Sequence, residues 1–265
     1  MSAKNFFNQL NPEIHAIDLR YKLRTGPGFV DLDDICARLD IDIIEDDLGT
    51  SGNVCGCLVR DGNAAIILIN KYMDYLGRKR FTIAHELGHF FIPTHNRSTY
   101  QCDRFKIELF GNVGQETEAN IFASELLLPT KEAKEIVRKH PVSSSLIENT
   151  ATQYGMSLSA VAVKLVKLTQ DDICAVSLSA ADSGKVLWSV RSPKFIKKGL
   201  DIKRTLLISS TVKTQEHPSQ HLLGNILTNI PFIWMESIPF NKLGIQLSII
   251  TVPDEDDQDA DWDDY

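Results

Sequence analysis

The 265-residue sequence predicts an α+β fold in three parts, and three observations carry that reading. Helix-like and strand-like stretches alternate as far as Pro129. Residues 131–170 read as helix throughout. From Ile173 onward the apolar pattern changes to that of strands.

Residues 12–24 have helical spacing, and Gly26-Pro27-Gly28 ends the pattern. A second helix starts near Leu32, with Ile35, Cys36 and Leu39 on one face, and leads into the apolar run 41–44. Residues 55–60 and 64–70 read as two strands joined at Asp61-Gly62-Asn63, a composition suited to a tight hairpin. A helix over 80–92 follows and is stopped by Pro93. Another runs from Gln115 to the neighbourhood of Pro129.

Within 131–170, Ala151, Gly155, Met156, Ser157, Val161, Leu165 and Leu168 have helix-turn-helix spacing. Ala151 is small where two helices would cross, Gly155 permits a tight turn, and Ser157 can cap the next helix. Further on, 173–178 and 185–190 form a second hairpin candidate around Asp182-Ser183-Gly184. Residues 204–209 and 243–252 also read as strands, with a helix near 221–228.

The formal net charge is −7, and it is unevenly spread. Eight acids fall within residues 252–265; without them the balance is +1. That end reads as a disordered acidic tail on a near-neutral body. The five cysteines (Cys36, Cys55, Cys57, Cys102, Cys174) show no CxxC pair or regular spacing, so a reducing, cytoplasmic setting is expected. No apolar run approaches the length of a membrane span, and no membrane association is expected.

The chemistry lies in Arg80-Phe81-Thr82-Ile83-Ala84-His85-Glu86-Leu87-Gly88-His89-Phe90-Phe91. His85 and His89 are four apart, so one helical face presents both imidazoles to a single ion. Zinc suits such nitrogen ligands, and catalytic zinc sites keep a position open for water. Glu86, next to the ligand line, is placed to act as general base. The flanking residues are apolar, an expensive setting for two histidines and a glutamate unless they share a purpose. The competing reading is a histidine pair satisfied within the core.

A third ligand is expected from 115–129, where Glu116, Ala119, Asn120 and Ala123 share a face. The alanines allow close packing on the histidine-bearing helix. Glu116 would then face the metal, with Asn120 one turn on as its supporting partner. Glu118 is the alternative ligand, and Glu125 reads as solvated. Tyr72, His95 and Tyr100 are candidates to stabilise an oxyanion, with no basis for choosing among them. Cys102, in a polar stretch after His89, reads as an ordinary loop cysteine; a latency switch at the metal is the minority reading. Cys55 and Cys57 share one face of a strand and are expected to pack.

These two segments resemble the ImmA/IrrE family of metallopeptidases. The likeness rests on the run from Arg80 to His89 and on Glu116-x-Glu118-Ala119-Asn120-x-Phe122-Ala123-x-x-Leu126-Leu127-x-Pro129. The stretch 30–43 and the hairpin ending at Ile69-Asn70 resemble the family's N-terminal part. The resemblance covers about 15–130. It implies a zincin-like metallopeptidase domain over 1–130, a helix-turn-helix-like segment over 131–171 and a small α/β, GAF-like sensor or docking domain over 172–252, before the tail at 253–265. It also implies metal ligands His85, His89 and Glu116, Glu86 as catalytic base, and Zn²⁺ as cofactor, with manganese or another divalent metal as a substitute. The implied partner is a protein substrate, a helix-turn-helix repressor.

The rival reading is a DNA-binding or ligand-sensing regulator. Its would-be recognition helix, 157–168, offers only Lys164 and Lys167 as charges. Base readout and phosphate binding need more, so direct DNA binding is not expected.

Overall fold

The computed structural model describes residues 11–50, 54–61, 64–73, 75–103, 114–203, 214–218, 232–240 and 243–253. The chain divides into two compact units. One comprises residues up to Glu132 together with Thr150–Ser157; the other comprises Ala133–Asn149 and everything from Leu158 on. The helical segment read at 131–171 is therefore shared between the two. The expected strand at 204–209, the helix near 221–228 and the acidic tail from residue 254 lie outside the described residues.

The first unit opens with helix α1 (Pro12–Leu23), capped by Asn11, whose side chain accepts from the amides of Glu13 and Ile14. It ends earlier than Gly26: Arg24 takes the left-handed conformation at φ 55° and closes the last turn. Helix α2 (Leu32–Arg38) is capped in the same way by Asp31. Strands β1 (Ile41–Asp46), β2 (Val54–Asp61), β3 (Ala64–Asn70) and β4 (Thr99–Asp103) form a sheet in the order β1-β3-β2-β4. β1 runs parallel to β3, and the other pairs are antiparallel. Helix α3 (Leu76–Phe91) packs on β2, and helix α4 (Gln115–Leu127) packs on both α3 and α1.

α3 starts a turn before the sequence pattern suggests. Its first residues, Leu76-Gly77-Arg78-Lys79, lack apolar periodicity, and Tyr75 supplies no side-chain cap. Arg80 holds this end instead. Its buried guanidinium donates to the carbonyls of Val30 (2.6 Å) and Gly155 (3.0 Å) and lies 4.0 Å from the centre of the Phe29 ring. Arg20 does the same for α1, donating to the carbonyls of Leu126 (2.7 Å) and Gly26 (2.5 Å).

Two glycines set how closely the site elements approach. A methyl on Gly88 of α3 would sit 3.0 Å from Ala119 Cα and 3.2 Å from Phe122 Cβ of α4. A methyl on Gly56 of β2 would sit 2.5 Å from Thr82 Cγ2 and 3.3 Å from Glu86 Oε1.

Helices α5 (Thr130–Lys139), α6 (Ser144–Tyr154) and α7 (Leu158–Leu168) follow, and Gly155, at φ 61°, turns the chain after α6. The second unit contains an antiparallel sheet in the order β6-β5-β9-β8-β7. Its strands are β5 (Ile173–Ala180), β6 (Val186–Arg191), β7 (Thr214–Pro218), β8 (Phe232–Phe240) and β9 (Ile245–Val252). α7 packs on β5 and β6, and the short helix α8 (Pro193–Lys197) packs on β5. Phe195 and Leu200 cover Ile173, Ala175, Ile233, Met235 and Ile250.

Farther along the same strands that face turns polar. Ser189, Ser177, Ser248 and Ser237 stand opposite one another across four strands. Ser237 and Ser248 hydroxyls meet at 3.2 Å, whereas the buried hydroxyls of Ser177 and Ser179 have no hydrogen-bond partner among the described residues. No helix among the described residues is long and apolar enough to cross a membrane.

These contacts set expectations for stability. Gly56→Ala and Gly88→Ala should each destabilise the first unit by about 1–3 kcal/mol through overpacking, read from urea denaturation midpoints. Wild-type midpoints would show that strand and helices yield freely. Ser177→Ala should stabilise the second unit by about 1 kcal/mol, because it removes a buried hydroxyl that no described residue satisfies. A loss of stability in the same assay would mean that the hydroxyl is satisfied in solution.

Candidate metal centre

The inward face of α3 carries His85, Glu86 and His89, all fully buried. The helix is buried along most of this stretch, between β2 on one side and α4 on the other. α4 brings Glu116 from its first turn to the two imidazoles. Glu116 Oε2 lies 3.4 Å from His85 Nε2, and Oε1 lies 3.7 Å from His89 Nε2. The two Nε2 atoms are 3.1 Å apart. One ligand atom from each of the three residues falls within 4.8 Å of the other two. Glu116 is the member that reaches solvent, with 26% of its side chain exposed, so the site opens on the α4 side.

The donor chemistry fits a cation. His85 Nδ1 lies 2.8 Å from Asn120 Oδ1, an acceptor, so its proton sits there and its Nε2 lone pair faces the cluster. Burial pushes His89 down to about 4, against the upward pull of Glu116, and keeps this imidazole neutral at ordinary pH. Two neutral imidazole nitrogens and a carboxylate oxygen thus converge, which is the donor set of a divalent metal with an open position.

Glu118 does not join this set. Its Oε2 lies 2.8 Å from His95 Nε2, and His95 Nδ1 lies 3.0 Å from His89 Nδ1. Both ring nitrogens of His95 are therefore engaged. The Tyr100 ring stacks on His89 with centroids 4.1 Å apart, while its hydroxyl accepts from the Arg97 amide and lies 3.4 Å from Gln115 Oε1. Tyr72 donates to Asp47 Oδ2 at 2.8 Å. The polar atoms of all three oxyanion candidates are thus taken up by protein groups.

Glu125, read as solvated, is buried. Its carboxylate accepts from the amide and hydroxyl of Thr130 and caps the start of α5. Cys102 lies on β4 rather than in a loop, opposite Gly56; its side chain is outside those described. Cys55 is buried, with its sulfur 3.5 Å from an Arg78 nitrogen, and Cys36, Cys55, Cys57 and Cys174 are all free thiols.

The sequence reading missed how His95 and Glu118 pair, and it missed Arg60. Arg60, on β2, donates to the backbone carbonyls of both His89 and His95, the latter at 2.8 Å. A third histidine six residues past His89 was visible in the sequence. What was not visible is that the chain past Pro93 folds back beneath α3.

Comparison with known proteins agrees with this geometry. Residues 36–166 match the family model of the IrrE N-terminal-like domain, peptidase family M78. No curated protein matches the chain. Among solved structures, its fold is similar to that of a Mycobacterium tuberculosis transcriptional regulator, with TM-score 0.53 and 12% identity over 91% of this chain and 75% of that one. The family match and the ligand cluster together indicate a metallopeptidase-type domain suited to a divalent metal. Through the domain at residues 36–166, with His85, His89 and Glu116 gathered inside it, this chain belongs to the ImmA/IrrE metallopeptidase family.

Proposed function

We propose that this protein is a zinc-dependent endopeptidase whose substrate is a specific DNA-binding repressor of the helix-turn-helix type. The observation that carries the reading is the convergence of His85, His89 and Glu116 beside the buried Glu86. His85 and His89 through Nε2, and Glu116 through its carboxylate, would hold the ion. A bound divalent metal supplies Lewis-acid activation of a water and of the peptide carbonyl.

The protein's own groups do the rest. Glu86 accepts the proton of the attacking water and returns it to the leaving amine. Its position between the ligands on α3, backed by β2 at Gly56, restricts where its carboxylate can swing. Asn120 holds the His85 ring in the tautomer that ligates. Burial of this wall excludes bulk water and strengthens each electrostatic contact. The surrounding parts fit a regulatory peptidase. The helix-turn-helix-like segment would dock protein, and the C-terminal α/β part, read as GAF-like, would sense or dock.

A second reading, a ligand-sensing or DNA-binding regulator, draws on the likeness in fold to a transcriptional regulator and on the buried hydroxyls of Ser177 and Ser179, which have no partner among the described residues. The DNA-binding form of it is the weaker. Along α7 five of the eleven residues are buried, and its two lysines, Lys167 exposed and Lys164 half-buried, are too little for a basic face.

Incubating metal-loaded protein with the helix-turn-helix repressor encoded nearest to it should yield a shortened repressor on a gel. Glu86→Gln should keep its metal by elemental analysis and lose cleavage by about 10²–10⁴-fold. Retained cleavage would remove Glu86 as the base. His89→Ala should lose the metal. Operator DNA should show no salt-dependent gel shift with this protein alone; a shift that weakens with salt would favour the regulator.

A further inference from the structure

We propose that Glu118 and His95 are positioning residues which fix the proton and the ring orientation of His89, and thereby set the affinity of the metal centre. The inference rests on the metal-centre reading above and extends it beyond the three ligands.

The geometry allows one proton register. If His89 ligates through Nε2, its proton is on Nδ1. That atom faces His95 Nδ1 at 3.0 Å, so the His95 nitrogen must accept. His95 then carries its own proton on Nε2, where it donates to Glu118 Oε2 at 2.8 Å. Reversing the register would aim a His95 Nε2 lone pair at a carboxylate oxygen at hydrogen-bond distance, a repulsive contact. It would also place a proton on His89 Nε2, where the metal must bind. The carboxylate at the far end therefore selects the ligating tautomer two groups away.

The same chain is held mechanically. Arg60 binds the backbone carbonyls of His89 and His95 together, so the main chain at the two residues is tied to one side chain. Tyr100 stacks on His89 and limits its tilt. Behind His85 stands an amide oxygen, that of Asn120 at 2.8 Å, so the two histidines are supported by different means. Glu118 is thereby distinguished from Glu116, two residues earlier on the same helix. One carboxylate would meet the ion directly, and the other would act through two imidazoles. Partners of this kind alter metal affinity by about ten- to hundredfold in other sites.

The test reads metal binding, not proteolysis. Apo protein would be titrated with Zn²⁺ against a chromophoric chelator, and its Co²⁺ complex examined in the visible range. Glu118→Ala and His95→Phe remove an acceptor each and should weaken zinc about ten- to hundredfold and shift the cobalt bands. Glu118→Gln retains a carbonyl acceptor, and His95→Asn can place Oδ1 near the lost Nδ1. Each should recover most of the loss. Glu118 has 35% of its side chain exposed, so its variants test the chain without opening the core, and unchanged melting of the apo forms checks this. Wild-type zinc affinity and cobalt spectra in Glu118→Ala and His95→Phe would overturn the proposal. So would Glu118→Gln and His95→Asn as weak as their disruptive counterparts. Failure of wild-type protein to bind zinc or cobalt would instead bring down the metal-centre reading, and the chain with it.

Discussion

The approach of α4 to α3 at Gly88 is the contact on which the first unit depends. Ala119 Cα would stand 3.0 Å from any methyl placed on Gly88, so the two helices touch almost backbone to backbone. A wider separation would leave Glu116 short of the imidazoles. Its carboxylate has few bonds with which to compensate, and it must reach both Nε2 atoms from one rotamer. The small residues are therefore part of the site although none of them carries chemistry. The same holds for Gly56, which lets β2 press against the helix face that bears Thr82 and Glu86.

Burying this many polar groups needs compensation, and much of it comes from backbone carbonyls. Arg20, Arg60 and Arg80 each send a guanidinium to main-chain oxygens: Arg20 to Leu126, Arg60 to His95 and Arg80 to Val30. These carbonyls lie at helix ends or in turns, where no regular partner is available. A guanidinium is well suited to that task, since it offers several donors in a plane and is weakly hydrated. Three such clamps hold the ends of α1, α3 and the segment after α3. They fix the frame within which His85, His89 and Glu116 converge, so loss of one would disturb geometry before it disturbed chemistry.

Much of this was legible in the sequence, and the limits of legibility have physical causes. The hairpin 64–70 with its partner strand, the two helices and the grouping of His85, His89 and Glu116 followed from period and spacing, because each depends on local geometry. The start of α3 was missed because it is anchored by a distant carbonyl rather than by a cap. β4 was missed because Thr99-Tyr100-Gln101-Cys102-Asp103 is a polar edge strand with no apolar alternation. β8 carries the alternation Ile233, Met235, Ser237 inward, but Pro239 and the polar member at the third position masked it. Glu125 looked solvated because a carboxylate in a helix usually is, whereas the turn at Thr130 brings two donors to it.

The pairing of Glu118 with His95 belongs to a further class. Helical geometry placed Glu116 and Glu118 on different faces and left two carboxylates for one ligand position. Nothing in that geometry says what the second one meets, because the answer lies in a segment that leaves the helix at Pro93 and returns beneath it. A ligand set can be read from one helix and a facing stripe. The groups that orient it come from wherever the chain happens to pass, and here they come from a histidine held in place by an arginine on a neighbouring strand. That is why the grouping of His85, His89 and Glu116 was readable from spacing while the pairing of Glu118 with His95 was not.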